Sequence, residues 1–250
     1  MKIKIDCLQG PVLGHKMRCQ VLEAELLKRG HRIVTDGQDW LVVDYPESQF
    51  PPYTGQRRLV MGVNPIGLND YAWNPLGDPG YKRTLYGGEY IIVSPLVAKY
   101  INTPKTKGLL VTCGGADPAH LSEKIMAILP KGDIVIGPNF GRGVNIKEDW
   151  WGHYDLDHTG MIALMAQYKM VLCAWGGTTF EALAMGAKVV TIAINDTYVE
   201  EARRLGMEAV TLDNLQEVYW RLQTVEQDNY GVDTKGVTRT VEAMEKWLDE

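Results

Sequence analysis

Two glycines, two threonines and a carboxylate fall within six residues, Gly176-Gly177-Thr178-Thr179-Phe180-Glu181. The apolar run before them, residues 170–174, reads as a buried parallel strand, and residues 188–193 read as the next one. Between them, residues 180–185 read as a helix closed by Gly186. A glycine pair at a strand-to-helix turn lets backbone N–H groups approach an anion closely. The helix N-terminus behind it adds a partial positive charge. A carboxylate one turn into that helix suits hydroxyls such as those of a ribose. The chemistry is that of a nucleoside diphosphate cradle. The same residues also spell a T-x-x-E capping box, in which Thr178 caps the helix, Glu181 reaches back to the Thr178 backbone, and the glycines are turn residues. The segment alone leaves both readings open.

A second such place follows the first strand, residues 2–7, at a turn marked by Gly10, Pro11 and Gly14. His15 stands where a helix begins, and the helix dipole there favours a neutral imidazole that takes a proton from water or an alcohol near neutral pH. Binding a phosphate or packing in the turn are its other roles. Arg18, one turn along, suits either a phosphate or a carboxylate partner. Asp155-Leu156-Asp157 has the D-x-D spelling of a metal-holding motif, with His153 and His158 around it. Its place before a helix at Gly160 reads as an N-cap, and the spacing fits no standard zinc site. Asp117 likewise reads as a cap with Pro118 at the first helical position. Trp150-Trp151 reads as core. Tyr71, Trp73 and Tyr81, in an irregular Pro/Gly/Asn-rich stretch, are candidate contacts for a sugar or its acceptor, as is Asp44-Tyr45 at a strand end.

The elements that must position these residues alternate twice between strand and helix. In the first half, the helix of residues 16–29 carries Met17, Val21, Leu22 and Leu26 at helical spacing and ends at Gly30. Strands are expected at 31–35, 40–43, 58–63 and 90–93, with long loops over 51–81 and a Pro-containing linker over 94–107. The second half has strands at 108–112, 133–136 and 209–212 besides the two around the cradle. Its helices are expected at 118–129, 160–168, 197–205 and 215–224, and a last helix spans 237–249. This predicts an α/β fold of two Rossmann-like domains facing a cleft, with both glycine turns at the carboxyl ends of strands, where such sheets bind ligands. The expected boundaries are 1–104 for the acceptor and catalytic domain, 105–236 for the donor domain, and 237–250 for a helix that packs back on the first.

The chain has 250 residues, 45% hydrophobic and 23% charged, as in soluble globular proteins. It contains no run of about 20 apolar residues and no signal-peptide core, and its four scattered cysteines read as free thiols of a reducing cytoplasm. A net charge of −5 gives no global attraction to nucleic acid or membrane. A dinucleotide oxidoreductase is disfavoured, because Asp6-Cys7-Leu8-Gln9-Gly10 does not continue as G-x-G-x-x-G.

Leu13-Gly14-His15-Lys16-Met17-Arg18-Cys19 resembles the GHxMRC segment of the PseG-type UDP-sugar hydrolases of the pseudaminic-acid pathway, which are GT-B-fold relatives of the peptidoglycan N-acetylglucosaminyltransferase. Four further segments are similar to that family's turns, in order: Leu85 to Tyr90, Cys113-Gly114-Gly115-Ala116-Asp117-Pro118, Val135-Ile136-Gly137-Pro138-Asn139, and Gly177 to Ala182 with Gly186. The family's acidic pair is replaced here by Met61-Gly62-Val63-Asn64-Pro65, and its N-Q pair by Asn195-Asp196. The donor half therefore keeps the pattern better than the acceptor half. The resemblance implies a metal-independent enzyme with no cofactor beyond a UDP-sugar donor. It implies His15 as general base, with Gly14, Arg18, Gly114, Gly115, Gly176, Gly177, Thr178 and Thr179 about the nucleotide-sugar. Backbone groups near Ile136 and Gly137 would hold the base, Glu181 the ribose, and Asp44, Tyr45, Asn64, Tyr71, Trp73, Asn195 and Asp196 the acceptor or sugar.

The expected activity is cleavage of a UDP-sugar at the anomeric carbon with inversion, the sugar passing to a hydroxyl acceptor or to water. The acceptor is a small molecule, a glycan, or a hydroxylated base in DNA, the last served by Arg57, Arg58, Lys82, Arg83, Lys99, Lys105 and Lys107. A non-catalytic nucleotide-sugar-binding partner is the reading from outside enzymology.

Overall fold

The computed structural model describes residues 1–7, 13–44, 57–62, 70–77, 83–117, 119–140 and 143–247, with residues 13–15 and 70 described by their backbone alone. The chain divides into two compact units, Met1–Pro95 with Gly231–Glu250, and Leu96–Tyr230. The changeovers thus fall at 95/96 and 230/231, against the expected 104/105 and 236/237.

The first unit contains strands β1 (Lys2–Cys7), β2 (Arg32–Ile33), β3 (Trp40–Asp44), β4 (Arg57–Met61), β5 (Asp70–Trp73) and β6 (Thr84–Leu85), with helix α1 (Leu13–Lys28) after β1. They form a sheet in the order β2-β1-β3-β4-β5-β6, every pairing parallel. The central strand β3 is buried along its whole length, as a parallel strand covered on both faces must be. Helix α1 buries Cys19, Leu22 and Leu26, spaced by one turn, against Ile3, Trp40 and Leu59. Gly30 ends it at φ +82°, with His31 N–H donating to the Leu26 carbonyl and Gly30 N–H to that of Leu27. That is a Schellman cap.

The second unit contains α2 (Val97–Tyr100), β7 (Lys107–Thr112), α3 (Leu121–Ile128), β8 (Gly132–Val135), β9 (Trp150–His153), α4 (His158–Met165), β10 (Tyr168–Ala174), α5 (Gly177–Ala184), β11 (Lys188–Ala193), α6 (Asp196–Leu205), β12 (Val210–Thr211) and α7 (Val218–Thr224). Its sheet runs β12-β11-β10-β7-β8-β9, again parallel throughout. Counted within the unit this is the Rossmann order 3-2-1-4-5-6 read from its other edge. Leu172 stands opposite Val190 on one side and Val111 on the other, and these three anchor the unit's core with Ile125, Ile134 and Trp150.

The chain then returns to the first unit as α8 (Gly236–Lys246). Val241 and Met244 are fully buried there, and Trp247 packs on Tyr71 with ring centroids 4.4 Å apart. Gly236 passes so close to the Ile91 carbonyl that a Cβ would lie 2.0 Å from its oxygen. Arg29 clasps the helix from α1, reaching Glu245 at 2.9 Å and Glu242 at 3.0 Å.

Three expected elements differ. Residues 90–93 form no strand. The chain makes a 3-10 turn at Gly88–Tyr90 and the Tyr90 carbonyl accepts from Trp73 Nε1 at 2.7 Å, so it serves an indole instead of a ladder. The expected linker holds α2, whose Val97 is fully buried. Trp150 and Trp151 lie on edge strand β9, so Trp150 joins the core while Trp151 is 68% exposed. Among the described residues no helix is long and apolar enough to cross a membrane.

Because α8 is held by its apolar face, Met244→Ala is expected to destabilise the protein by about 2–4 kcal/mol in urea unfolding. Glu242→Ala, which removes a partly exposed ion pair, is expected to cost less than about 1 kcal/mol.

Candidate functional site

In the second sheet the strand order changes direction between β7 and β10, and the turns after these strands leave a crevice at their carboxyl ends. Three glycine-bearing turns meet there or beside it. After β7, Gly114 takes φ +81°. After β8, Gly137 lies against it, so that a Cβ on Gly137 would sit 2.5 Å from the Gly115 oxygen and 2.6 Å from that of Gly114. The Asn139 N–H donates to the Gly115 carbonyl at 2.8 Å and the Ile136 N–H to that of His153 at 2.9 Å. Gly114, Gly115, Ile136 and Gly137 are therefore brought together in one rim.

After β10, Gly176 stands at φ 153° and is the N-cap of α5, which starts at Gly177. Open space surrounds the positions where Cβ atoms on Gly176 and Gly177 would lie. The Thr179 amide donates to the Gly176 carbonyl at 3.0 Å, while the amides of Gly177 and Thr178 have no acceptor within the helix. Two contacts fix the turn. Trp175 Nε1 donates to Glu201 at 2.7 Å, and its ring meets Phe180 edge-on at 5.3 Å. Thr179 is fully buried, with its hydroxyl 3.3 Å from Cys173 Sγ and 3.5 Å from Thr191 Oγ1, so it pins the helix to the sheet. Thr178 is half-buried.

The helix start decides between the two readings of T-x-x-E. With Gly176 as N-cap, Thr178 is the second helical residue and makes no cap, so the capping box is absent. Glu181 sits one turn further in. It is 9% exposed, and its Oε1 lies 3.4 Å from His158 Nε2. Burial pushes its carboxyl up to about 7. Burial also lowers His158, with the charge of Asp157 opposing. The sequence treated His158 only as a neighbour of the D-x-D residues, because nothing local says that the start of α4 meets the middle of α5.

The expected Asp157 cap is found, the expected Asp117 cap is displaced to a helix whose N-cap is His120, and Asn195 is a cap not expected from the sequence. Asp157 caps α4 by accepting from the Gly160 N–H at 2.7 Å, although the helix starts at His158 rather than Gly160. Asp117 accepts from the amides of Leu121 at 2.7 Å and Ser122 at 3.1 Å, so α3 begins later than expected. Asn195 accepts from Tyr198 N–H at 2.9 Å as the cap of α6, and exposed Asp196 follows it. Among the described residues no group of three or more His, Cys, Asp and Glu side chains is disposed to hold a metal.

In the first sheet the order changes between β1 and β3, and α1 begins at that point with Gly14 and His15 in its first turn, not in a turn ahead of it. Asp44 ends β3 fully buried and is clasped by Arg18, whose Nε donates at 2.5 Å while Nη2 donates to the other oxygen. The Cys19 thiol lies 3.5 Å away, held firmly protonated by burial and by the Asp44 charge. The Arg18 guanidinium lies 5.2 Å from the centroid of the Trp73 ring, and Gly62 leaves room for it, since a Cβ there would be 3.4 Å from Nη2. Asp44 and Arg18 are thus committed to each other. Tyr71 and Trp73 lie on a strand instead of an irregular loop, 2% and 6% exposed, which makes them core residues and removes them from an acceptor surface. Tyr45, Asn64, Tyr81, Lys82 and Pro118 lie outside the described residues.

Glu181 opposes the stability of its own fold. Below pH 4.5, its ordinary value, it is protonated folded or unfolded. Between 4.5 and about 7 the unfolded chain ionises while the folded one holds the proton, so stability falls across that window and then levels. Glu181→Gln is expected to be more stable than the parent at pH 8 by on the order of 3 kcal/mol and equal to it near pH 4. Denaturant midpoints at both values check this, and no gain at pH 8 would sink it.

No protein-family model matches the chain, and no curated protein resembles it in sequence. Solved structures do resemble it in fold. MurG of Acinetobacter baumannii superposes with a TM-score of 0.61 at 10% identity, over 98% of this chain and 99% of that one. The UDP-GlcNAc 2-epimerase of Methanocaldococcus jannaschii gives 0.54 at 13%, over 98% and 100%. An α-glucosyltransferase in complex with UDP-glucose and DNA containing an abasic site gives 0.53 at 10%, over 100% and 98%. At these identities the likeness concerns the fold alone: two parallel six-stranded sheets with their helices, the α/β fold of the GT-B glycosyltransferases.

Proposed function

We propose that the protein is a nucleotide-sugar-dependent enzyme that cleaves a UDP-sugar at its anomeric carbon and passes the sugar to a hydroxyl acceptor or to water. One observation carries the reading: a buried carboxylate, Glu181, stands one turn behind an uncapped, glycine-opened helix N-terminus at the switch point of a Rossmann-ordered sheet. A diphosphate matches the amides of Gly177 and Thr178, and a ribose diol matches the carboxylate. The rim of Gly114, Gly115, Ile136 and Gly137 supplies backbone groups for the base. The GT-B fold and the resemblance to PseG-type hydrolases support the same donor.

In this reading the acceptor oxygen attacks the anomeric carbon as the bond to the diphosphate oxygen breaks, which inverts the centre. The acceptor's proton passes to His15, in the first turn of α1. The departing diphosphate takes the bonding electrons, and its added charge falls on the amides of α5. No metal or cofactor is assigned a part.

The likeness to a DNA-bound glucosyltransferase favours one second reading, transfer to a hydroxylated base in DNA. The charges expected to serve it are partly engaged. Arg57 donates to the Trp247 carbonyl at 2.6 Å, Lys105 to that of Ala166 at 3.3 Å, and Lys107 to the Tyr168 hydroxyl at 3.4 Å. A small-molecule or glycan acceptor, or water, is the stronger reading.

Incubation with a panel of UDP- and GDP-sugars, with and without hydroxymethylated DNA, tests it through the release of free nucleoside diphosphate. UDP release without DNA is the expected outcome, and release only with DNA would favour the second reading. His15→Ala is expected to lower turnover by at least about 100-fold while UDP still binds. UDP binding with no turnover of any donor by the parent protein would leave a small-molecule or glycan acceptor that the panel lacks, or a non-catalytic nucleotide-sugar-binding partner.

A further inference from the structure

We propose that His158 is a positioning residue of the nucleotide site, its Nε2–H holding the Glu181 carboxylate in the form and orientation that accept the 2′-hydroxyl of a ribonucleotide. The inference rests on the donor-site reading above and adds to it a residue and a selectivity.

Glu181 is the second-turn residue of α5, nine-tenths buried, and its Oε1 has His158 Nε2 3.4 Å away. His158 is the first residue of α4, fixed there by the Asp157 cap, and its side chain is 38% exposed. A partly exposed imidazole thus stands beside a nearly buried carboxylate. A carboxylate this buried ionises only where donors face it. One donor comes from the neutral imidazole and the others come from vicinal hydroxyls, each of which donates to a carboxylate oxygen. A 2′-deoxy ligand brings one hydroxyl fewer to a buried acceptor.

Among the described residues no neighbouring charge adds to the effect of burial on Glu181. Of the strands beneath α5, β10 presents Cys173, a thiol held protonated by burial and engaged with Thr179, while Lys169 and Lys188 are exposed. Asp157 is the carboxylate beside His158, and its Oδ1 is occupied by the Gly160 amide. Binding a diol favours the ionised form of Glu181, so nucleotide affinity rises with pH through about 7 and then levels.

Calorimetric titration of the full chain with UDP and 2′-deoxyUDP between pH 6 and 8.5 tests this. The parent is expected to bind UDP with that profile and to prefer it over the deoxy ligand roughly tenfold at pH 8. His158→Phe keeps the bulk and removes the donor. UDP affinity at pH 7.5 is then expected to fall roughly tenfold, the preference to vanish and the midpoint to move to higher pH. His158→Gln keeps a donor and is expected to retain the preference, and it serves as the sole variant if the Phe protein does not fold. An unchanged preference and midpoint in His158→Phe, or a lost preference in His158→Gln, overturns the role of His158 and leaves the donor site standing. No UDP binding by the parent overturns both.

Discussion

The reversal of strand order between β7 and β10 is the constraint on which the candidate site depends. Crossovers in a parallel sheet are right-handed, so the connections leaving two neighbouring strands in opposite sequence directions cover opposite faces. The strand ends between them stay uncovered. Anything lining that gap must satisfy its own backbone without a helix above it, which is why the turns there lean on one another. Gly137 against the Gly114 and Gly115 carbonyls is backbone on backbone, and only glycine permits it. The same packing that spares the crevice a covering helix leaves the first-turn amides of α5 facing it.

The first sheet has an equivalent reversal between β1 and β3 and treats it differently. There the strand end carries Asp44, and α1 swings Arg18 onto it while Trp73 and Gly62 enclose the guanidinium. A buried carboxylate with a bidentate arginine is a closed arrangement, since removing either partner strands a charge. Glu181, with a single imidazole at 3.4 Å, is an open one. The contrast separates a carboxylate paired within the fold from one with a looser partner, and it is the second that the proposed function draws on. It also explains how Asp44 at a strand end imitates a site residue in the sequence.

What the sequence made legible follows from length and burial. Strands β3, β7, β10 and β11 are covered on both faces and read as unbroken apolar runs, and the helices with a full stripe were equally plain. The short strands β5 and β9 were not legible, because they offer four residues each and a period of two needs more than that to show. Aromatics misled there. Tyr71 and Trp73 sit among prolines, glycines and asparagines, yet their rings close the core under Trp40 and Trp247. The glycine turns of the site were legible as letters, while the meeting of His158 with Glu181 was not, since it depends on how α4 and α5 cross the sheet.

The ambiguity between a capping box and an anion cradle turns on two residues of register. Had α5 begun at Thr179, the Thr178 hydroxyl would have taken an amide and Glu181 another, and two of the four free donors would have been lost to a ligand. Beginning at Gly177 puts at the N-cap a residue with no side chain to compete, at a cost of only a few tenths of a kcal/mol against a polar cap. It also carries the carboxylate one turn inward, beyond reach of the amides, where burial raises its proton affinity. A helix arranged for its own stability would have used the threonine. This one leaves the Gly177 and Thr178 amides apart from the carboxylate in the same stretch of chain, and in the donor complex proposed above the two would face chemically different parts of one molecule: an anion, and a neutral group rich in hydroxyls.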